Sequence, residues 1–371
     1  MATDRTAVHS TGIKRSKSRT YYPAFIGCML LIVGGLIALR SEQSASIMAL
    51  TAVWALMASG WNIISGYAGP LSLGQGAFFG LTAFTVSVLF ANLNWSPYYG
   101  ILAGVVVSLV LSALIGLTTL RLSGLYFGLA TLTIPLILGT LLRYFGYHEI
   151  ARPYVGVSLA YFQFDGSVPY YIAAAILVVV ALFFTAYLTN TRMGRYFVSI
   201  RENERAAEAS GVPTFRYKFY AFMIGAVFSA LAGGIYSQLA FVFDPNDVFS
   251  PLVSVQALLI CLIGGPGTVL GPLIGAVIVI PGGELADTYF SQLPGLNNLA
   301  YAALLLIVAF LSRRGLYPFL ADLVSAGLAR LRRGDGRAGP DSAAVAAAEP
   351  EGHAEELAMP RDPARANDGG R

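Results

Sequence analysis

Between Tyr22 and Leu320 the sequence returns repeatedly to apolar runs long enough to cross about 30 Å of hydrocarbon, with charge confined to their joints and to the two ends. A chain patterned this way cannot bury its apolar surface in one globular core, and it reads as a polytopic membrane protein. Its composition agrees, with 56% hydrophobic and 12% charged residues and a mean hydropathy of +0.65. The spans are helices rather than barrel strands. Barrel strands alternate apolar and polar residues, whereas a run such as Ile172 to Leu188 is apolar on every face. The expected fold class is therefore an all-α polytopic membrane helical bundle.

The runs can be taken in order. Pro23 to Leu39 and Ile47 to Ile64 are plain spans joined by a short turn containing Glu42. Ser65 to Phe84, SGYAGPLSLGQGAFFGLTAF, carries glycines at 66, 69, 74, 76 and 80 and a proline at 70, so a regular helix should break there. Backbone groups freed within a bilayer must be satisfied by protein or by a water-filled path, which places such a segment inside the bundle. A second reading stays open, close helix packing through Gly76-xxx-Gly80. Tyr98 to Leu120, Leu125 to Leu142 (with Pro135 inside it), Tyr170 to Leu188 and Phe219 to Phe241 are further spans. From Val248 to Phe290 the chain is too long for one helix and is interrupted at Gly264-Gly265-Pro266-Gly267, which predicts a hairpin with arms Val248 to Ile263 and Val269 to Phe290. Leu252 to Ile263 measures only about 18 Å, so its turn is expected within membrane depth. Asn298 to Leu311 closes the series ahead of Arg313 and Arg314.

Charge orients this scheme. The basic residues of Met1 to Thr20, the central interval and the region from Arg313 should share the cytoplasmic side, which an even number of crossings satisfies. The expectation is about ten crossings, with broken or re-entrant segments near 65–84 and 252–283 and both termini inside. In domain terms, 1–20 is a basic cytoplasmic tail, 21–320 a transmembrane domain with a cytoplasmic loop at 189–218, and 334–371 a disordered cytoplasmic tail rich in Ala, Pro, Gly and Asp. The first run reads as a retained anchor, because no small-residue cleavage pattern follows it. Basic residues that flank spans speak for membrane orientation and against nucleic acid.

The largest polar interruption before the tail is Thr189 to Lys218, with Arg192, Arg195, Arg201, Arg205, Arg216 and Lys218 beside Glu202, Glu204 and Glu208. Ser199 to Ser210 holds no Gly or Pro and includes Ala206, Ala207 and Ala209, so a short helix is expected, stopped by Gly211 and by Pro213. Its apolar positions are too few for a core of its own, so the helix should lie against something else. A solvated turn is the alternative.

Catalytic and metal chemistry find little support. His148-Glu149 resembles part of a zinc motif, but Arg152 occupies the place of the second histidine. Cys28 and Cys261 lie far apart in apolar runs and read as packing residues. No glycine-rich phosphate loop followed by Lys-Ser or Lys-Thr is present, and no cofactor or metal is expected. The spans hold almost no ionisable residue of the kind an ion-driven carrier needs, apart from Glu284 and Asp287 near one span end. The chain is therefore not expected to be an enzyme, and its driving energy must come from elsewhere. An ion-gradient carrier remains the alternative from another class.

Four stretches in order, GYAGPLSLGQGAFFGLTAF, GRYFVSIRENERAAEASGVPTFRYKFYAF, LLICLIGGPGTVLGPLIGA and RRGL, resemble the LivM-type permease subunits of branched-chain amino acid ABC transporters over nearly Ile47 to Leu316. The resemblance implies a subunit in a bacterial inner-membrane importer. Its partners would be a second related permease, two cytoplasmic ABC ATPases that hydrolyse ATP, and an extracytoplasmic substrate-binding protein. It also implies an ATPase-coupling helix comprising Arg201, Glu202, Glu204, Arg205, Ala206, Ala207, Glu208 and Gly211. Ala206, Ala207 and Gly211 match the Ala-Ala-xxx-Gly core of the family's loop motif, whereas Arg205 stands where the general motif has Glu. Pro70 and Gln75 depart from the Gln and His often seen in the first segment. The implied cargo is leucine, isoleucine or valine, with urea, short amides and aromatic acids as variations. Residue chemistry by itself offers a dipole-lined path at Asn62, Ser65, Ser72, Gln75, Thr131 and Thr133, suited to a small neutral or zwitterionic solute. Ordinary interhelical hydrogen bonding is the other reading of the same residues.

Overall fold

The computed structural model of the protein describes residues 18–122, 124–147, 149–151, 156, 158, 160–240, 242–290 and 316–317. The chain divides into two compact units, Met1–Ala321 and Asp322–Arg371, and every described residue belongs to the first. Residues 1–17 of the N-terminal tail, His148, the expected last span Asn298 to Leu311 and the tail at 334–371 lie outside the described residues.

The architecture is a helical membrane bundle. Its elements are α1 (Ser18–Ala38), α2 (Glu42–Trp61), a π-helical continuation Asn62–Ala68, α3 (Gln75–Leu93), α4 (Pro97–Thr119), α5 (Leu125–Tyr144) and α6 (Val168–Asn190). Then follow α7 (Arg192–Glu202), α8 (Glu204–Ala209), α9 (Thr214–Leu239), α10 (Pro245–Val248), α11 (Pro251–Gly264) and α12 (Gly271–Phe290). Two-residue strands β1 (Ile150–Ala151) and β2 (Val242–Phe243) pair antiparallel between loops. Eight described stretches are long and apolar enough to cross a membrane, and Gly271–Leu285 adds a shorter apolar helix.

Helices α2, α3 and α9 form the centre, with α6 and α12 against α2, α4 against α3 and α9, and α1 outside α6. Burial follows this order: 78% of the apolar window of Glu42–Ala68 is buried but only 22% of that of Tyr21–Ala38, which identifies α1 as peripheral. Outward faces carry Phe25, Ile32 and Leu36 on α1 and Leu102, Val106 and Leu114 on α4, as lipid contact demands. In the centre, small residues let backbones touch. A Cβ on Gly60 would lie 2.6 Å from the carbonyl of Gly225, so α2 and α9 approach as closely as Gly permits. Gly76 and Gly80 do the same for α3, the first against Ser254 of α11 and the second against the Phe249 ring. Break and close packing, alternatives in the sequence, both occur and simply divide the segment at Gln75.

Two ends of the bundle can be distinguished by what ties their loops together. At one end the Glu42 carboxylate accepts from the Ser167 amide at 3.0 Å, Ser96 Oγ donates to the Ala160 carbonyl, and β1 meets β2. At the other lie the π-helical segment, the α11–α12 turn and α7 and α8, joined by bonds from Arg201 to Gly66 and from Asn62 to Thr268. Successive spans alternate between these ends from α1 to α12. The expected hairpin is present, turning through Gly265 (φ 118°) and Gly267 (φ 73°), both in conformations that favour glycine.

Candidate functional site

The break follows from Asn62 onward. Helix α2 widens into the π-helix Asn62–Ala68, closed by the Gly69 amide reaching back to Ile64 at 3.0 Å, and Gly69 (φ 101°) turns the chain out of helical geometry. Residues 69–74 are irregular until α3 starts at Gln75. Inside a bundle such a stretch needs partners for its backbone, and the structure supplies them as hydroxyls and one amide.

Ser65 Oγ accepts from the Ser72 amide (3.1 Å), Thr131 Oγ1 of α5 from the Leu73 amide (3.0 Å), and Ser254 Oγ of α11 from the Gly76 amide (2.9 Å). Trp61 Nε1 donates to the Ser72 carbonyl at 2.8 Å. Asn62, fully enclosed, clamps the hairpin turn: Nδ2 donates to the Thr268 carbonyl at 2.8 Å, and Oδ1 accepts from the Gly267 amide at 2.7 Å and from Cys261 Sγ at 3.3 Å. Gln75 is buried with Oε1 accepting from Ser229 Oγ at 2.6 Å, while its Nε2 meets no acceptor among the described residues. Thus Asn62, Ser65, Ser72, Gln75 and Thr131 come together around one break. Thr133 does not join them; it faces outward from α5 and donates only to its own helix at Ala130 (2.8 Å).

At the same end sits the charged interval. Thr191 caps α7 through the Gly194 amide, and α7 turns Gly194, Phe197 and Ile200 inward with Arg195 and Val198 outward. The single helix expected over Ser199 to Ser210 is instead two helices parted at Asn203. That residue adopts extended geometry (φ −159°) and accepts from the Ala206 amide with its side chain at 3.1 Å, so it acts as the N-cap of α8. Asn is a favoured N-cap, and Asn203 directly ahead of Glu204 was the signal in the sequence for a new start. Gly211 (φ 83°) ends α8 as expected, with the Val212 amide closing back on Ala207.

Helix α8 is fastened to α9 by the Glu204–Lys218 ion pair and by Thr214 Oγ1 donating to Glu208 at 2.6 Å. Ala207 packs inward, while Arg205, Ala206 and Ala209 are exposed. Arg201 turns the other way. Its Nη1 donates to the Gly66 carbonyl at 2.7 Å and its Nη2 pairs with Glu202 at 3.0 Å. A cleft of about 380 Å³ opens here, bordered by Gly69, Pro70, Gly124, Arg201, Glu202 and Lys218. The sequence placed Arg201 in the charged helix but gave no sign that it reaches the break 135 positions away.

Comparison with known proteins bears on both features. A family model described as "Branched-chain amino acid transport system / permease component" matches residues 43–309, which include the break, the charged interval and the hairpin. The high-affinity branched-chain amino acid transport system permease protein LivM of Salmonella typhimurium is 27% identical over 330 residues, covering 79% of this chain and 74% of that protein. LivM of Escherichia coli K12 is also 27% identical, over 75% of this chain and 71% of its own length. The ribose import permease protein RbsC of Haemophilus influenzae is 35% identical over a shorter stretch, 25% of this chain and 30% of that protein.

Proposed function

The chain belongs to the branched-chain amino acid transport system permease component family, and from that premise we propose that it is the membrane-spanning subunit of an ATP-binding-cassette importer for branched-chain amino acids or related small polar solutes. The single observation that carries this reading is the pair α7–α8. It is a charged unit outside the spans, fastened inward to α9 and to the break, with Arg205, Ala206 and Ala209 left facing out. A span-to-span connection has no need of such a unit. A surface for a cytoplasmic ATPase does.

Permease subunits of such importers are generally non-catalytic, and hydrolysis is assigned here to two separate ATPase chains, with a second related permease and an extracytoplasmic binding protein completing the complex. The end bearing α7 and α8 is placed in the bacterial cytoplasm. It carries Arg19, Arg121, Arg192, Arg195, Arg201, Arg205, Arg216 and Lys218 against Glu202, Glu204 and Glu208, whereas the loops of the opposite end carry, among the described residues, Arg40 and Arg143 beside Glu42, Glu149, Asp165, Asp244 and Asp247. With the described spans alternating between the two ends, this reading has α1 begin on the cytoplasmic side.

The break forms part of the translocation machinery in this reading. Asn62, Ser65, Ser72, Gln75 and Thr131 hold an irregular wall in place, while the exposed Thr133 faces the solute path or the second permease. Selection among leucine, isoleucine, valine, urea, short amides and aromatic acids rests mainly with the binding protein. The test is uptake of labelled solutes by the complete complex in proteoliposomes. ATP-dependent accumulation of a neutral amino acid or amide is expected. Uptake by this chain alone, driven by a proton gradient without ATP, would support an ion-coupled carrier instead.

A further inference from the structure

Two interruptions of the helical pattern, far apart in sequence, meet at one side chain. The π-helical end of α2 presents the Gly66 carbonyl, which accepts from Arg201 Nη1. The α11–α12 turn presents Gly267, where a Cβ would fall 2.4 Å from the same Nη1. The exit from the π-helix presents Gly69, where a Cβ would fall 3.0 Å from the Arg201 Cα and 3.3 Å from its Cβ and Cγ. Gly69 and Gly267 both have positive φ, so each is a turning point of the chain against Arg201. Asn62 closes the ring by clamping the hairpin turn to the π-helix from the other side.

We infer that Arg201 is a positioning residue that transmits displacement of α7–α8 to the two chain breaks at once. The inference rests on the proposed importer function, since it assumes that an ATPase moves α7. The Gly66 carbonyl is buried, and a buried acceptor deprived of its donor is costly, so motion of α7 must either carry the π-helix with it or leave that carbonyl unpaired. Phe197, one turn before the arginine, and Ile200, directly before it, stiffen the linkage because they anchor α7 inward. The guanidinium suits this place for a geometric reason. It donates to Gly66 and to Glu202 from two different nitrogens in one plane, which an ammonium on a flexible stem does not reproduce.

The experiment measures solute accumulated per ATP hydrolysed, using leucine as probe, in proteoliposomes containing the complete complex, on preparations in which all subunits co-purify. Arg201→Met should lower this ratio between about fivefold and tenfold, and Arg201→Lys should recover part of it. Gly267→Ala should lower the ratio in the native background by displacing the guanidinium, and by a smaller factor in the Arg201→Met background, where its Cβ still meets the Gly66 carbonyl oxygen at 2.9 Å. The double-mutant comparison cancels whatever backbone strain alanine introduces at positive φ. An intact Arg201→Met complex with the native ratio would overturn the inference. So would an equal fold-change from Gly267→Ala in both backgrounds. If the unmodified complex shows no ATP-driven uptake, the importer reading fails first; if it transports normally while these ratios stay constant, only the role of Arg201 fails.

Discussion

The break at residues 62–76 and the charged unit α7–α8 lie at one end of the bundle and are both unusually polar for their surroundings, yet they use polarity in opposite ways. Around the break the side chains point inward and satisfy the chain's own backbone: Ser65, Thr131 and Ser254 take amides that no helix uses, and Asn62 serves a donor and an acceptor of the hairpin turn. On α7–α8 the polar groups divide. Glu204, Glu208 and Arg201 hold the unit to the bundle, and Arg205 with its small neighbours is left outside. Polarity enclosed by the fold keeps it in shape. Polarity left outside is available to a partner. Substitutions in the first region should therefore act on stability before transport, and those in the second on transport before stability.

The largest effect should come from Asn62→Leu. Leucine fills the space but strands the Thr268 carbonyl and the Gly267 amide in an enclosed site, a loss of about 3 kcal/mol at the usual cost of unpaired buried groups. Thermal unfolding of the detergent-purified protein measures it, and an unchanged midpoint would end the distinction between the two regions at its strongest point. Thr131→Val comes next. It is nearly isosteric and orphans one amide, that of Leu73, for an expected loss of about 1 kcal/mol. If this variant unfolds like the native protein but transports differently, Thr131 belongs to the solute path rather than to its scaffold.

The opposite pattern is expected from reversing charge on α8 with Arg205→Glu. Arg205 is exposed and stands outside the Glu204–Lys218 pair, so the stability change should stay below about 1 kcal/mol. Transport and substrate-linked ATP hydrolysis should nevertheless fall, with membrane insertion intact. Normal transport would return α8 to the status of a solvated turn.

Much of this arrangement was legible in the sequence, and the parts that were not share a cause. Spans, the break after Ile64, the hairpin at Gly264–Gly267 and the stop at Gly211 are written in local composition, because hydrocarbon tolerates little besides apolar helices and glycine or proline marks where they end. The split of α7 from α8 was also local, in Asn203, but good helix formers on both sides outweighed one capping residue. Arg201 against Gly66, Ser254 against Gly76 and Asn62 against the hairpin turn are different in kind. They join residues more than a hundred positions apart, and no periodicity within a window carries them. The hydroxyls near the break could be picked out as unusual, but whether they serve a solute or the backbone depends on which amides the fold leaves free.

The smallest effect on stability, and the finest test of the contrast, belongs to Thr133. It stands two residues after Thr131 on α5, and a helical step of two turns the side chain through about 200°, so the two hydroxyls point to nearly opposite faces. Thr131 is fully buried and accepts from the Leu73 amide of another segment besides bonding to Gly128 of its own helix, whereas Thr133 is exposed between Leu129 and Ile137 and bonds only to its own helix. Valine at 133 keeps the shape and removes a bond that folding does not need, so unfolding should shift by less than about 0.5 kcal/mol. A hydroxyl on an otherwise apolar outward face offers lipid nothing, but it offers a passing amide or zwitterion a dipole. In the reconstituted complex Thr133→Val should thus alter the uptake rate or the ranking of polar solutes such as urea against leucine while stability stays put. If uptake of every solute is unchanged, the outer face of α5 belongs to lipid, and the path runs along a different wall of the bundle.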